Sequence, residues 1–349
     1  MKKWYDLESE TYHGVVISSR VRLARNLVNY PFPNRLDDEG ANQVINMTKS
    51  AIETTKETLT SFFEHVAMNR INQVDKIAMM EKHIISPQFV KVKMPASLIL
   101  SKDEALSIMI NEEDHIRIQS MACGMNLDKA LKEANHIDDL FEEALDYAFD
   151  DKFGYLTACP TNLGTGLRAS YMIHVPALET TGQLQFILEA IGKFGLTVRG
   201  IYGEGTEAQG SVFQISNQVT LGQTEYEIID NLTSVTKQII EQELIVRHKL
   251  LKDKRKFFED AVYRSYGVLS HARMITSKEA MRLLSDLKVG IELGVIETVD
   301  NRSINIYNLM AKIQPANLQI IYNRDLDLNE RDSARADYIR DHLPQLIGG

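Results

Sequence analysis

The chain has 349 residues, 44% of them hydrophobic, and its 39 lysines and arginines against 48 aspartates and glutamates give a net charge of −9. That length allows two domains with a sizeable core, and the acidic balance argues against a general nucleic-acid binder. The two cysteines, Cys123 and Cys159, are far apart and outside any C-x-x-C, and no apolar run approaches the ~20 residues of a membrane span. We therefore expect a soluble cytoplasmic protein without structural zinc, disulfides or a signal peptide.

Strand and helix patterns alternate in the first two-thirds of the chain, and helical patterns occupy the rest. Predicted strands cover residues 15–17, 20–23, 105–110, 115–120, 167–175, 196–202 and 211–217. Predicted helices cover residues 38–68, 127–149 and 183–194, and most of the chain from Thr224 onward. Because neighbouring strands lack full crossovers, the pattern favours an α+β fold with a largely antiparallel sheet flanked by helices. The charged stretch at 252–256 predicts a domain boundary. It would separate an α+β domain over residues 1–252 from an all-helical C-terminal domain over residues 253–349.

An acidic turn joins two of the predicted strands, in the stretch INEEDHIRIQS at residues 110–120. Side chains alternate along a strand, so Ile116 and Ile118 are predicted to face the core while Arg117 faces the other way. The three carboxylates at 112–114 and Arg117 are then expected on one accessible side of the sheet. A solvated acidic turn is the alternative explanation for this cluster taken alone.

Arginines recur at strand spacing in SSRVRLARN, residues 18–26. Arg20 and Arg22 are two positions apart and hence on one face of an extended segment. Two guanidinium groups on one face suit a polyanion such as a triphosphate, because each can bind phosphate oxygens through two N–H groups. A basic strand edge that resists aggregation explains the same pattern equally well.

Two glycine-containing loops carry further candidates. In CPTNLGTGLRAS, residues 159–170, Cys159 opens a loop that leads into Arg168. The GTGLRA part precedes a strand pattern and not a helix, which excludes a Rossmann dinucleotide site, and no P-loop is present. In VRGIYGEGTEAQG, residues 198–210, Arg199 ends a strand and Glu204 lies between glycines that could aim its carboxylate into a cleft. A small buried cysteine and a plain flexible loop are the alternatives.

These four motifs, in this order between residues 18 and 227, resemble the phosphagen (guanidino) kinase family, which includes arginine and creatine kinases. The resemblance implies a catalytic domain over 1–252 that uses ATP and Mg²⁺. It implies that Glu113 and Glu204 clamp the substrate guanidinium, with Glu113 as the general base, and that Cys159 lies beside it. Glu112 and Asp114 would lie near the magnesium. The resemblance also implies six nucleotide-binding residues: Ser18, Arg20, Arg22, Arg117, Arg168 and Arg199.

The chemistry of guanidino groups explains why such a site needs these residue types. A guanidinium is planar and stays protonated far above neutral pH, so it is a poor nucleophile until it is oriented and loses a proton. Two carboxylates can do both tasks, and arginines together with Mg²⁺ can neutralise the charge on a transferring phosphoryl group.

Three departures from that family bear on the substrate. No helical domain of ~100 residues precedes Ser18, Met172 occupies the position at which many relatives have a nucleotide-contacting histidine, and a helical region follows Lys256. This combination resembles the bacterial protein arginine kinases, which phosphorylate arginine side chains and so mark proteins for the Clp protease during stress. It implies protein substrates with exposed arginines, a zinc-binding activator protein and a heat-shock repressor as partners, and no direct nucleic-acid or membrane contact. A kinase of free arginine or another small guanidino compound, and a non-catalytic protease adaptor, are the alternatives.

A further motif, RDSARA at residues 331–336, lies near the C-terminus. Helical spacing predicts that Arg331, Asp332 and Arg335 stay available while apolar neighbours turn inward. The motif resembles the R-D-x-x-R-A sequence with which protein arginine kinases bind phosphoarginine away from the active site, which implies a site formed by Arg331, Asp332, Arg335 and Ala336. In a helical tail that forms a homodimer, such a site would let the product stimulate the enzyme. Periodicity alone favours a solvated charged helix face.

Overall fold

A large antiparallel sheet organises the molecule. The computed structural model describes residues 2–7, 11–54, 62–200, 209–299 and 305–347. Its strands are β1 Val16–Arg25, β2 Phe63–Ala67, β3 Ser97–Ser101, β4 Leu106–Ile110, β5 Ile116–Cys123, β6 Phe149–Asp150, β7 Gly154–Tyr155, β8 Leu167–His174, β9 Leu196–Gly200 and β10 Val212–Asn217. Within these ranges, eight strands pair antiparallel in the order β2-β3-β4-β5-β1-β8-β10-β9, and β6 and β7 form a separate pair.

Helices cover the sheet and form most of the C-terminal region. The first group is α1 Asp38–Thr54, α2 Gln73–Glu81, α3 Pro87–Val90, α4 Leu127–Glu142, α5 Pro176–Thr180, α6 Gln183–Ile191 and α7 Glu225–Asp253. The second group is α8 Arg255–His271, α9 Ser277–Glu292, α10 Ile306–Lys312, α11 Pro315–Tyr322 and α12 Leu328–His342. The predicted α+β fold with a largely antiparallel sheet and a helical C-terminal region is confirmed. None of the described helices combines the length and the apolar character needed to cross a membrane.

The two faces of the sheet have different neighbours. On one face, Val21 of β1 and Ile118 of β5 belong to the main hydrophobic core, which they share with α1, α4 and α7. The opposite face is divided between two environments. At one end, Met121 and Met172 join a second hydrophobic cluster formed largely by the C-terminal helices. Beyond that cluster the same face carries half-buried polar side chains such as Arg22.

Two predicted helices are shorter than expected. The prediction of a helix over 38–68 is wrong in its last part, because Phe63–Ala67 is strand β2; α1 is described over Asp38–Thr54. β2 pairs with β3 along its whole length, and this main-chain pairing outweighs the local helical pattern. Helix α4 ends at Glu142, before its predicted end, and Phe149–Asp150 pairs with β7 instead.

A buried guanidinium joins the C-terminal helices to the sheet. Arg247 of α7 is 1% exposed, and its Nε donates a hydrogen bond of 2.6 Å to Glu243 Oε1. Its Nη1 donates to Glu292 Oε2 of α9 at 2.7 Å, and its Nη2 donates to the carbonyl of His174, the last residue of β8, at 3.1 Å. The division into domains 1–252 and 253–349 stays a prediction, and the two parts share this buried contact.

Candidate active site

One face of the sheet brings four predicted nucleotide-binding arginines together. Arg20 and Arg22 are two residues apart on β1, so their side chains point to the same face. Arg22 is directly opposite Arg168 of the neighbouring strand β8. On the other side of β1, Arg117 of β5 is opposite Ala24. Strand alternation therefore places these guanidinium groups side by side across three adjacent strands.

Two further strands extend this arginine face. Arg199 of β9 is opposite Gln214 of β10, and Gln214 Oε1 accepts a hydrogen bond of 2.7 Å from Arg20 Nη2. Ser18, the remaining predicted nucleotide-binding residue, is 1% exposed on β1. His83, which the sequence did not indicate, lies near Arg20, and burial together with this arginine lowers the pKa of His83 to about 3. A lone histidine outside any motif carries no sequence signal for such a position.

The arginines of this face are close enough to lower one another's pKa. Burial, and then Arg168, lower the pKa of Arg20 to about 10. Burial lowers the pKa of Arg22 well below its usual range, and the neighbouring arginines lower it further. The Nε groups of Arg20 and Arg22 are buried and have no hydrogen-bond partner in the described part of the chain. Because an arginine stays protonated in a protein, this face is suited to an anion with several phosphate oxygens.

The acidic turn is buried except for one carboxylate, so the expectation of one accessible side is wrong for most of it. Arg117 is 7% exposed and lies among the acidic side chains. Its Nη1 is 2.5 Å from Glu112 Oε2, an ion pair without hydrogen-bond alignment, and its Nη2 donates a 2.9 Å hydrogen bond to Glu113 Oε2. Ser86 Oγ donates to the other oxygen of Glu112 at 2.5 Å. With its side chain 43% exposed, Glu113 is the acid of this turn that a substrate can reach.

Asp114 connects the acidic turn to the loop that carries the cysteine. Its Oδ1 accepts hydrogen bonds from Asn26 Nδ2 and from the main-chain N–H of Ala158, each at 2.7 Å. Burial raises the pKa of Asp114, although these hydrogen bonds oppose the shift. Ala158 directly precedes Cys159. The buried carboxylate of Asp114 therefore connects the two segments that carry the predicted catalytic residues Glu113 and Cys159.

The cysteine loop is itself closely packed. Thr220 Oγ1 donates to the carbonyl of Leu163 at 2.7 Å. Gly164 has a φ of +112°, and a Cβ at this position would lie 2.8 Å from the carbonyl oxygen of Thr220, so the loop requires glycine here. Cys159 is half-buried, and its Sγ is 3.0 Å from Thr161 Oγ1. The thiol is thus held by a packed loop and stays partly accessible.

A magnesium ion would find few protein ligands at this site. Among the residues that the structure describes, no group of three or more His, Cys, Asp or Glu side chains is arranged to hold a metal. Glu112 and Asp114, the predicted magnesium neighbours, both face Arg117. Asp114 Oδ2 is buried without a hydrogen-bond partner in the described ranges and is 3.9 Å from Arg117 Nη2. Since Mg²⁺ commonly combines one or two carboxylates with water and phosphate ligands, this donor set fits the ion only together with a nucleotide.

Of two further positions in the predicted active site, the structure describes Met172 and does not describe Glu204. Glu204 falls in 201–208, outside the described residues. Met172, at the position where many relatives of the phosphagen kinase family have a histidine, is 4% exposed and belongs to the second hydrophobic cluster. Met172 is therefore covered by the C-terminal helices.

The predicted phosphoarginine segment is part of α12 and is more buried than expected. Arg335 is 2% exposed, and its Nη1 donates to Asp332 Oδ1 at 2.5 Å and to the carbonyl of Ile275 at 2.8 Å. The expectation that Arg335 stays available is therefore wrong. Ala336 is 1% exposed, whereas Arg331 and Asp332 are half-buried. The segment presents Arg331 and Asp332 to the surface, with Arg335 behind them.

Comparisons with known proteins agree with this geometry. Residues 43–245 match the family described as "ATP:guanido phosphotransferase, C-terminal catalytic domain", and residues 255–347 match "Protein-arginine kinase McsB C-terminal domain". A protein-arginine kinase of Caldanaerobacter subterraneus subsp. tengcongensis is 48% identical over 94% of this chain and 97% of that protein. The chain belongs to the protein-arginine kinase family. A second protein-arginine kinase, from Halothermothrix orenii, is 49% identical over 94% of this chain and 93% of that protein.

Solved structures support the same fold for this protein-arginine kinase family member. The duplicated taurocyamine kinase from Schistosoma mansoni, with bound transition state analog components, has a TM-score of 0.62 and 25% identity, covering 74% of this chain and 38% of that one. Lombricine kinase has a TM-score of 0.59 and 23% identity, covering 71% of this chain and 72% of that one. The predicted resemblance to phosphagen kinases, and to the protein arginine kinases among them, is confirmed.

Proposed function

We propose that this chain is an ATP-dependent protein arginine kinase, which transfers the γ-phosphate of ATP to arginine side chains of proteins. One observation carries the proposal: a face of clustered arginines, where burial and neighbouring guanidinium groups lower the pKa of Arg22, adjoins a buried acidic turn in which Glu113 is the exposed acid. The first group suits the phosphates of a nucleotide, and the second suits a guanidinium. Membership of the family of ATP:guanido phosphotransferases supports this reaction class.

The proposed reaction joins a guanidino nitrogen to the γ-phosphorus. Glu113 accepts a proton from the attacking terminal nitrogen as the N–P bond forms, because a protonated guanidinium is not a nucleophile. The bond between the γ-phosphorus and the bridging oxygen breaks, and ADP leaves with the electron pair. Glu204 is proposed to hold the guanidinium plane so that one nitrogen points at the phosphorus.

The other residues of the site bind and balance charge. Arg20, Arg22 and Arg168 are proposed to bind the phosphate oxygens, together with Ser18, Arg117 and Arg199. Mg²⁺ would add positive charge that stabilises the transferring phosphoryl group, and Glu112 and Asp114 are the acids that would face it. Cys159 is proposed to assist through local electrostatics and not through a covalent intermediate.

The biological setting is proposed from the family alone. It comprises a cytoplasmic location, a homodimer formed through 253–349, and phosphoarginine binding at Arg331, Asp332, Arg335 and Ala336. The proposed partners are protein substrates with exposed arginines, the Clp protease system, a zinc-binding activator protein and a heat-shock repressor. A kinase of free arginine and a non-catalytic protease adaptor are the competing functions. An adaptor has no need for an exposed carboxylate beside a face of clustered arginines, which disfavours it.

Variants of the two carboxylates test the proposal. Glu113→Ala and Glu204→Ala should each abolish phosphoarginine formation, because both groups act on one guanidinium. Glu143→Ala, at an exposed position after α4, is the matched control and should keep the activity of the parent. Phosphoarginine at the parental level from Glu113→Ala would exclude the proposed mechanism.

The role of the cysteine is tested by the same assay. Cys159→Ser should retain more activity than Glu113→Ala, since a hydroxyl preserves part of the local polarity. Complete loss of activity in Cys159→Ser, together with a phosphocysteine trapped on the parent enzyme, would show that the thiol acts covalently.

A further inference from the structure

Tyr307 of α10 lies near enough to Arg20 of the arginine face that the two groups influence each other's pKa. Tyr307 is 8% exposed and belongs to the same hydrophobic cluster as Met121 and Met172. Met121 is directly opposite Arg20 across the β1–β5 pair, and Met172 is opposite Ser18 across the β1–β8 pair. The cluster that holds Tyr307 therefore ends where the arginine face begins.

The N-terminal turn of the chain fixes the start of α10. Asn305 caps this helix by accepting a 2.8 Å hydrogen bond from the main-chain N–H of Asn308, and its Nδ2 donates to the carbonyl of Tyr5 at 2.7 Å. The ring of Trp4 packs against Tyr307, with the ring centroids 6.3 Å apart. These contacts restrict the positions that the Tyr307 hydroxyl can take.

The hydroxyl of Tyr307 is an unused hydrogen-bond donor. It has no hydrogen bond to any residue within the described ranges, and its oxygen is not among their fully buried polar atoms, so water or a ligand can reach it. Burial raises the pKa of Tyr307, and the positive charge of Arg20 opposes only part of that shift, so the phenol keeps its hydrogen at physiological pH. Arg20 itself uses Nη2 to bind Gln214 and has its Nε unpartnered among the described residues. An anion at this place would satisfy both groups.

We propose that Tyr307 is a nucleotide-binding residue supplied by the C-terminal helices, and that its hydroxyl donates a hydrogen bond to a phosphate oxygen of the ATP held by Arg20. This inference rests on the proposed function and adds a residue that none of the four catalytic motifs contains. It also gives the helical region a direct influence on nucleotide affinity. Removing one hydrogen bond to a charged phosphate should weaken binding about tenfold.

The substitution Tyr307→Phe tests this inference, because it removes the hydroxyl and keeps the ring. The full chain with Mg-ATP should show about a tenfold rise in the dissociation constant and in KM for ATP, with KM for the protein substrate unchanged. Inorganic tripolyphosphate, used as a competing ligand, should lose affinity by the same factor, because it presents the same phosphate chain. Tyr266→Phe is the matched control: this hydroxyl donates to the carbonyl of Pro344 in the C-terminal region, and ATP affinity should not change.

The possible results separate this inference from the proposed function. Unchanged ATP affinity in Tyr307→Phe, with a parent that binds ATP, would overturn the role of Tyr307 alone. Equal increases in both KM values would indicate a general distortion and would also overturn it. A parent that binds neither ATP nor tripolyphosphate would overturn the proposed function itself.

Discussion

The buried guanidinium of Arg247 should contribute far more to stability than an exposed one with the same local geometry. Arg247 Nε binds Glu243, four residues earlier in α7, at 2.6 Å, with the two side chains 1% and 0% exposed. Arg264 Nε binds Asp260, four residues earlier in α8, at 2.7 Å, with the two side chains 77% and 61% exposed. The two pairs hardly differ in spacing or distance. They differ in burial, and the buried Arg247 also binds Glu292 and the carbonyl of His174.

The expected cost of Arg247→Met follows from the charge that it leaves behind. Truncating one partner of a buried ion pair typically costs about 3–5 kcal/mol, because the other charge stays buried without compensation. Glu243 keeps two hydrogen bonds in the variant, from the main-chain N–H groups of Ala177 and Leu178 at 3.1 and 2.9 Å. We therefore expect the lower end of the range, about 3 kcal/mol. Arg264→Met should have no measurable effect, since water replaces the lost partner.

Urea unfolding followed by far-UV circular dichroism measures both variants. Equal m values would allow the midpoints to be compared as free energies of unfolding. Equal losses for Arg247→Met and Arg264→Met would refute the reasoning from burial.

Three more predictions follow from the site and its surroundings. Arg168→Ala should raise KM for ATP and lower kcat, because phosphate contacts strengthen in the transition state, and unchanged steady-state kinetics would place this side chain outside the nucleotide site. Asp332→Ala should weaken phosphoarginine binding measured by calorimetry and reduce activation by pre-phosphorylation; if both stay at parental levels, the segment is only a charged helix face. Burial, and then Lys288 and Arg247, hold the pKa of His174 well below its usual value, so the stability from its neutral form is present above about pH 6.5 and is lost as the pH falls. His174→Asn should therefore make the urea midpoint less sensitive to acidification from about pH 7 to about pH 5, and an unchanged pH dependence would contradict this.

The sheet and its arginine face could be predicted from the sequence because both follow from strand periodicity. Alternation along a strand places Arg20 and Arg22 on one face and Val21 on the other, whatever the partners are. The structure then adds the neighbours, since the β1–β8 register brings Arg168 opposite Arg22. The local sequence pattern is sufficient to predict which face of the sheet a side chain occupies, because that direction depends on the strand alone.

Burial in the acidic turn could not be predicted because it depends on residues distant in sequence. Glu112 is paired with Ser86, and Asp114 with Asn26 and Ala158, which are separated from them by 26, 88 and 44 positions. A run of three acids therefore suggested a solvated turn, whereas tertiary partners bury two of them.

Arg335 and the strand β2 were mispredicted for related reasons. The guanidinium of Arg335 donates to the carbonyls of Ile275 and Ile313, which come from other parts of the C-terminal region. Helical periodicity within α12 contains no information about these acceptors. Likewise, Phe63–Ala67 is a strand because β3 lies beside it, and not because of its own residues.

The most direct test of the central claim compares two substrates for the same enzyme. The parent protein is incubated with Mg-ATP and either free arginine or an unfolded arginine-rich protein, and acid-labile phosphate is measured in each reaction. A protein arginine kinase should form phosphoarginine on the protein and little or none on the free amino acid, and Glu113→Ala should form neither. Phosphorylation of free arginine alone would identify a small-molecule guanidino kinase, and no acid-labile phosphate in either reaction would contradict the account.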